Sequence, residues 1–119
     1  MDEIDFTSDS FGDILARDRR YDARAYALLV DVLQYLFSKD EHVDATAILD
    51  EFRERTLDQY GPMSYTVLTE WGVSATEDIG EMMFNLVEFK RIRKDEDDNP
   101  DDFRDGFDFK EAFLGPYQS

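Results

Sequence analysis

The sequence predicts a compact, mostly helical domain of the α+β class, with about five helices and a C-terminal β-hairpin in a winged-helix-like arrangement. Two observations predict the elements. Apolar residues recur at helical spacing over most of residues 11–89, and the pattern then changes to alternation in F-K-R-I-R-K (89–94) and G-F-D-F (106–109). The resulting order of helix, short strand, helix, helix and hairpin is that of a winged helix.

The length of 119 residues fits one domain that buries a substantial core. We expect a flexible acidic N-terminus over residues 1–10, a single globular domain over residues 11–114 and a tail over residues 115–119. Hydrophobic residues make up 42% of the chain and aromatic residues 14%, which is too much for a disordered protein. With no long apolar run and no secretory signal, the expectation is a cytoplasmic protein without a membrane span.

Three helices account for the first half of the predicted domain. The spacing of Phe11, Ile14 and Leu15 predicts a short first helix, and Asp22 and Asp44 are suited to cap the second and third. Val43 is expected to form a one-bridge strand. The strongest periodic pattern belongs to the second helix, the expected centre of the core, with Tyr26, Leu29, Val30, Leu33, Leu36 and Phe37 facing inward. The third helix contributes Ile48, Leu49, Phe52, Leu57 and Tyr60.

Residues 60–74, Y-G-P-M-S-Y-T-V-L-T-E-W-G-V-S, predict a corner between helices. A glycine ends one helix, a proline starts a short one, a tryptophan anchors that short helix in the core, and a second glycine stops it. An S-x-x-E capping box then opens the fifth helix, which runs to about Phe89. The residues assigned to this structural corner are Gly61, Pro62, Trp71, Gly72, Ser74 and Glu77.

The W-G-V-S corner resembles that of a helix-turn-helix, but the chemistry does not suit nucleic acid. A reading helix needs cations or amides, and a net charge of −16 repels phosphate. On the exposed side of the fifth helix we instead expect Thr76, Glu77, Glu81, Asn85 and Glu88. The nucleic-acid alternative therefore rests on a basic wing, Lys90, Arg91, Arg93 and Lys94, whose charge the acidic segment 95–108 is expected to neutralise.

No catalytic, cofactor-binding or metal-binding residue is predicted, and no cofactor. The chain has no cysteine, and its one histidine, His42, is interpreted as a capping or surface residue rather than a general base. Asp97, Asn99 and Asp101 have the spacing of a calcium loop, but a proline interrupts them and the required glycine is absent. A metal-dependent enzyme built on Asp and Glu alone stays the second alternative.

The charged segment R-D-R-R-Y-D-A-R, residues 17–24, lies where the first two helices meet. Arg20 or Arg24 can pair there with Asp18, Asp22 or a distant carboxylate. In a chain this acidic, we interpret such an arginine as a structural clamp rather than a receptor for an anion.

Several motifs together resemble a family of short bacterial proteins of unknown function, found in planctomycetes and verrucomicrobia-like bacteria. They are R-Y and A-Y (Arg20, Tyr21, Ala25, Tyr26), H-V (42–43), G-P-M (61–63), W-G-V (71–73), T-E-D-I-G-E (76–81), F-N-L-V (84–87), D-D-F (101–103), D-F (108–109) and A-F (112–113). The resemblance spans about residues 11–113. It implies a single-domain cytoplasmic protein and carries over no activity, cofactor or catalytic residue.

The function predicted from these observations is that of a non-catalytic acidic interaction or regulatory module. Its partner is expected to be another protein, or a second copy of the chain, because 17 aromatic side chains, Phe, Tyr and Trp together, are more than the core of a small domain needs to bury. Nucleic acid is an unlikely partner on grounds of charge, and no membrane contact is expected.

Overall fold

A computed structural model describes residues 11–39, 43–89, 100–104 and 106–117. In these residues the chain forms six α-helices: α1 (Gly12–Arg17), α2 (Ala23–Ser38), α3 (Ala45–Tyr60), α4 (Ser64–Glu70), α5 (Thr76–Glu88) and α6 (Phe109–Phe113). Short 3-10 helices cover Gly61–Met63, Pro100–Phe103 and Gly115–Tyr117, the last within the residues that we assigned to a tail. None of the helices in this part of the chain is long and apolar enough to cross a bilayer.

The predicted C-terminal β-hairpin and the winged-helix-like shape are wrong, because the described residues contain no strand. Phe89 directly follows the end of α5, residues 90–94 lie outside the described part of the chain, and residues 106–108 lead straight into α6. The one-bridge strand expected at Val43 is also wrong, since this residue lies in a loop before α3.

The alternation in G-F-D-F has a different physical origin from a strand. The rings of Phe107 and Phe109 stack with centroids 5.6 Å apart, and Phe113 packs edge-on against both. Between the two stacked rings, Asp108 turns outward and its Oδ1 accepts a hydrogen bond from the backbone N–H of Glu111, 3.1 Å away, which caps α6. An aromatic cluster around a helix cap thus produces the same period of two as a pleated strand.

Among the described helices, α2 supplies the largest share of the core, as its apolar pattern predicts. Asp22 caps α2, because its carboxylate accepts a hydrogen bond from the backbone N–H of Arg24. Asp44 caps α3 in the same way by accepting a hydrogen bond from the backbone N–H of Ala47. Packed against α3, α2 buries residues around most of its circumference, including Tyr26, Leu29, Val30 and Leu33. Phe37 is the exception to the predicted core, because 51% of it is exposed at the last turn of the helix.

The corner between α3 and α5 follows the backbone roles predicted for its glycines and proline. Gly61 ends α3 at φ 52°, and Pro62 occupies the first turn of the 3-10 helix that follows. Gly72 stops α4 at φ 91°, while Trp71 beside it is buried and packs edge-on against Tyr60. The amide of Asp22 donates to the carbonyl of Trp71 at 3.0 Å and joins this corner to the start of α2.

The cap of α5 lies one residue later than the predicted pair of Ser74 and Glu77. The helix begins at Thr76, so Ala75 is the N-cap and Asp78 is the third helical residue. Asp78 Oδ2 accepts from the backbone N–H groups of Ser74 and Ala75, at 2.9 and 3.1 Å. A carboxylate at this position satisfies amides that the helix leaves unpaired, which is the reciprocal half of a capping box.

Candidate interaction surface

The outer face of α5 carries one narrow line of exposed side chains, which we call the α5 stripe: Glu77, Glu81, Phe84 and Glu88. Their spacing of i, i+4, i+7 and i+11 brings all four onto one side of the helix. Phe84 is 46% exposed and lies between glutamates on both sides along the helix axis. The stripe is therefore acidic with an aromatic side chain in its middle.

Phe84 is not an isolated apolar group. Met83 and Val87 lie near it on α5; both are partly buried, and Met83 packs against the core. Because Val87 follows Phe84 by three residues, the two side chains are neighbours on the helix surface. The apolar part of the surface thus continues from Phe84 toward the core along one flank of the stripe.

Two residues that the sequence assigns to the exposed side of α5 are buried instead. Asn85 Nδ2 donates to Asp18 Oδ2 at 3.0 Å and to Tyr26 Oη at 2.9 Å. Thr76 is covered as well, and its Oγ1 accepts from the backbone N–H of Gly106 at 3.0 Å. Asn85, the one amide side chain that this face could have offered to a base, is therefore not available for reading DNA. The charged residues that are exposed on this face of α5 are glutamates.

Asp18 and Arg20 form the structural clamp predicted for the segment between α1 and α2. The guanidinium binds both carboxylate oxygens, with Nε 2.9 Å from Oδ1 and Nη2 2.7 Å from Oδ2. These hydrogen bonds hold the pKa of Asp18 well below its usual range, although partial burial opposes the shift, and the same pairing raises the pKa of Arg20. Arg24 pairs in the same way with Asp22 at 2.9 Å.

Two arginines from the α1 region reach the glutamates of the α5 stripe. Arg17 Nη1 lies 3.5 Å from Glu88 Oε2, and Arg20 Nη2 lies 3.3 Å from Glu81 Oε1. The side chains of both pairs are about half exposed, so each ion pair contributes little to stability. One edge of the stripe is therefore lined by cations that belong to the chain itself.

Tyr21 fixes the first turn of α5 from the side of the loop. Its Oη donates to Asp78 Oδ1 at 2.6 Å, while the other oxygen of that carboxylate caps α5. Burial, with a further contribution from this hydrogen bond, raises the pKa of Tyr21 far above that of a free phenol. The α5 stripe is consequently presented on a helix whose first turn is held by the rest of the fold.

An open cavity of about 600 Å³ lies beside the first residues of α5, and we call it the Glu77 cavity. It is formed by the start of α4, the corner and first turn of α5, and the segment that leads into α6. The residues that line it are Tyr65, Ser74, Ala75, Glu77, Phe107, Asp108, Phe109 and Lys110. Because Glu77 belongs both to the cavity and to the α5 stripe, the two features share an edge.

Other exposed apolar residues lie apart from α5 in the sequence and lack its run of charges. Tyr35 and Phe37 lie near the end of α2, where Lys39 and Arg55 contact the Tyr35 ring, and Met63 and Tyr117 lie on separate 3-10 helices. The described part of the chain holds no group of three or more histidines and carboxylates positioned for a metal ion. Several predicted groups lie outside the described residues: Lys90, Arg91, Arg93, Lys94, His42, Asp97 and Asn99.

Comparisons with known proteins identify no relative of this chain. No family model matches the chain, and no match was found among curated proteins or among solved structures. The resemblance to the bacterial family stays a prediction, and a proposal about function rests on the α5 stripe.

Phe84 was not predicted to be a surface residue, although the sequence contains a signal for its exposure. Position 84 follows Glu81 by three residues and precedes Glu88 by four, so it belongs to the same side of the helix as two glutamates. An aromatic residue among charged neighbours at this spacing indicates exposure.

Proposed function

We propose that this protein is a non-catalytic interaction module that binds a basic, amphipathic segment of a partner protein on the α5 stripe. The observation that carries the proposal is the exposed ring of Phe84 within a line of three glutamates. Aromatic side chains supply much of the binding energy of protein interfaces, and surrounding charges set specificity and association rate. A segment with leucines on one side and lysines or arginines beside them complements both parts.

The charge of the molecule supports a basic partner over a second copy of the chain. At a net charge of −16, two identical acidic stripes repel each other when they are brought together. A cationic segment is attracted at long range by the same field. The internal partners Arg17 and Arg20 support this choice, because guanidinium groups already pair with two of the glutamates.

The test uses a synthetic helical peptide of leucine and lysine, about 20 residues long, titrated into the isotope-labelled protein. We expect NMR shift changes concentrated on α5. Phe84→Ala should weaken binding about fivefold, because it removes about 1 kcal/mol of apolar burial at the interface. Phe37→Ala is the matched control, since it deletes an equally exposed ring at the end of α2.

Charge is tested with two pairs of substitutions that change the net charge equally. Glu77→Gln with Glu88→Gln removes charge from the stripe, and Asp50→Asn with Asp58→Asn removes it from exposed positions on α3. The first pair should reduce the association rate and the salt dependence more than the second. Equal effects, or shift changes spread over α3 and α5 alike, would show unspecific attraction and contradict the proposal.

The alternatives give different results in the same set of measurements. Binding of random duplex DNA at low salt, but not of the peptide, would favour the nucleic-acid reading. A dimer in light scattering that Phe84→Ala dissociates would favour self-association through α5.

A further inference from the structure

We infer that the Glu77 cavity receives one arginine side chain of the basic partner, an inference that rests on the function proposed for the α5 stripe. The cavity adjoins the stripe through Glu77, so a segment lying along α5 reaches it at the first turn of the helix. Hot-spot residues of protein interfaces commonly insert into such a recess, and arginine is among the most frequent.

The walls of the cavity suit the flat face of a guanidinium group. Tyr65, Phe107 and Phe109 all line it, and the rings of the two phenylalanines stack on each other with an interplanar angle of 24°. Arginine stacks on aromatic faces and is more weakly hydrated than lysine, so it loses less on leaving water. Because Tyr65 and Phe107 are only partly buried, their rings are accessible from the cavity.

The charges around the cavity select a cation. Glu77 and Asp108 contribute two carboxylates and Lys110 one ammonium group, so the lining is acidic overall. At the adjacent helix start, the amides of Ser74 and Ala75 already donate to Asp78, so these two donors are occupied and do not favour an anion. The net negative charge of the whole molecule likewise attracts cations and repels anions.

The experiment titrates agmatine, which carries a guanidinium group on an alkyl chain, and follows the amide signals of Ala75, Glu77 and Lys110 by NMR. Saturable shifts are expected in the millimolar range, as is usual for a fragment of this size. Glu77→Gln should weaken binding at least threefold, and Phe107→Leu should weaken it about twofold. Lys110→Gln should strengthen it about twofold, because Lys110 is the one cation among the described residues that line the cavity.

Glu70→Gln is the matched control, because it removes an exposed glutamate at the end of α4 outside the cavity and should leave agmatine binding unchanged. Absence of saturable shifts at these amides, or equal effects of Glu70→Gln and Glu77→Gln, would overturn the inference. Loss of binding in Lys110→Gln, with acetate shifting the same amides in the unchanged protein, would overturn it in favour of an anion site.

Failure here is distinguishable from failure of the proposed function. Agmatine binding should be unaffected by Phe84→Ala, since Phe84 does not line the cavity. If the leucine and lysine peptide binds the α5 stripe but agmatine does not shift the NMR amide signals of Ala75, Glu77 and Lys110, only the cavity inference is wrong. If a peptide with one arginine in place of lysine binds about threefold more tightly than one with citrulline there, the arginine inference is supported directly.

Discussion

At the scale of single residues, Asp18 connects three parts of the fold. Its carboxylate accepts from the backbone and the guanidinium of Arg20 and from the amide of Asn85, which also donates to Tyr26. These donors stabilise the ionised form, which is why the pKa of Asp18 is lowered. A carboxyl group with a lowered folded-state pKa stabilises the protein above its ordinary pKa, and this contribution is lost as the pH falls toward the lowered value.

Asp18→Asn should therefore lower the free energy of unfolding by about 2 kcal/mol at pH 7. The difference between the variant and the unchanged protein should shrink as the pH falls below about 4, where the unfolded-state carboxyl group takes up its proton. Urea denaturation at a series of pH values from neutral to acidic measures both effects.

Asp31→Asn provides the control for the substitution at Asp18, because it removes an exposed carboxylate of α2 and the same formal charge. Its effect on the free energy of unfolding should be within about 0.5 kcal/mol at every pH. A difference between Asp18→Asn and the unchanged protein that is constant over the whole pH range would contradict the role of the ionised carboxylate.

The predictability of individual residues depended on how far away their partners are in the sequence. The pair of Asp18 and Arg20 is local and was among the predicted pairings, since the two residues are two positions apart. Asn85 was misplaced because its partners lie 59 and 67 residues away, and only the tertiary fold brings Asp18 and Tyr26 to α5. For Phe84, helical periodicity was available in the sequence, but an aromatic residue is assigned to the core by default.

At the scale of elements, the turn between α4 and α5 depends on a close approach of two backbones. Gly72 adopts φ 91°, and a Cβ atom at this position would overlap the carbonyl oxygen of Arg20. The neighbouring Trp71 carbonyl accepts from the amide of Asp22. The loop between α1 and α2 therefore lies directly against the turn, and neither backbone can shift without displacing the other.

Gly72→Ala should destabilise the protein by about 3 kcal/mol or more, because strain at positive φ adds to the overlap with a backbone atom. The free energy of unfolding from urea denaturation is the measurement. Gly12→Ala serves as the control, since a Cβ at Gly12 meets nothing within 4 Å and the residue opens α1. It should be neutral or slightly stabilising, and equal losses in the two variants would contradict the steric explanation.

Elements were predictable where one residue determines them by its own chemistry. Asp22, Asp44, Gly61 and Gly72 act at helix ends through a side-chain oxygen or a permitted φ, so the helix ends they mark follow from local sequence. The prediction of a β-hairpin was wrong because an alternation of apolar and polar residues over four positions does not distinguish a pleated strand from an aromatic cluster around a helix cap. Long-range packing decides between these two structures, and a local sequence pattern carries no information about long-range packing.

At the scale of the whole molecule, the net charge of −16 acts against compactness. Ion pairs form at Arg17, Arg20, Arg24, Arg53 and Arg55, but they leave the net charge unchanged and most involve exposed side chains, so they offset the repulsion only weakly. The composition alone favours the basic partner proposed for the α5 stripe. The position of the α5 stripe was not predictable in this way, because it depends on which side of α5 the core covers.

Self-repulsion should make stability dependent on ionic strength. Raising the NaCl concentration from about 50 to about 500 mM should raise the Tm by several degrees, because the Debye length falls from over 10 Å to below 5 Å. Thermal unfolding followed by circular dichroism provides the measurement, and sucrose at equal osmolality is the control for excluded-solute effects. A Tm that falls with NaCl would show that attractive surface pairs outweigh the net repulsion.

The ion pairs of Arg17 with Glu88 and of Arg20 with Glu81 have a further consequence for selectivity. Any cationic segment that settles on α5 has to displace guanidinium groups that are already tethered there and so present at a high effective concentration. A polycation without an apolar side chain gains little from this exchange, because it replaces one ion pair with another. For the partner proposed here, Arg17 and Arg20 act as competitors within the chain, and contact with Phe84 is the part of binding that they do not oppose.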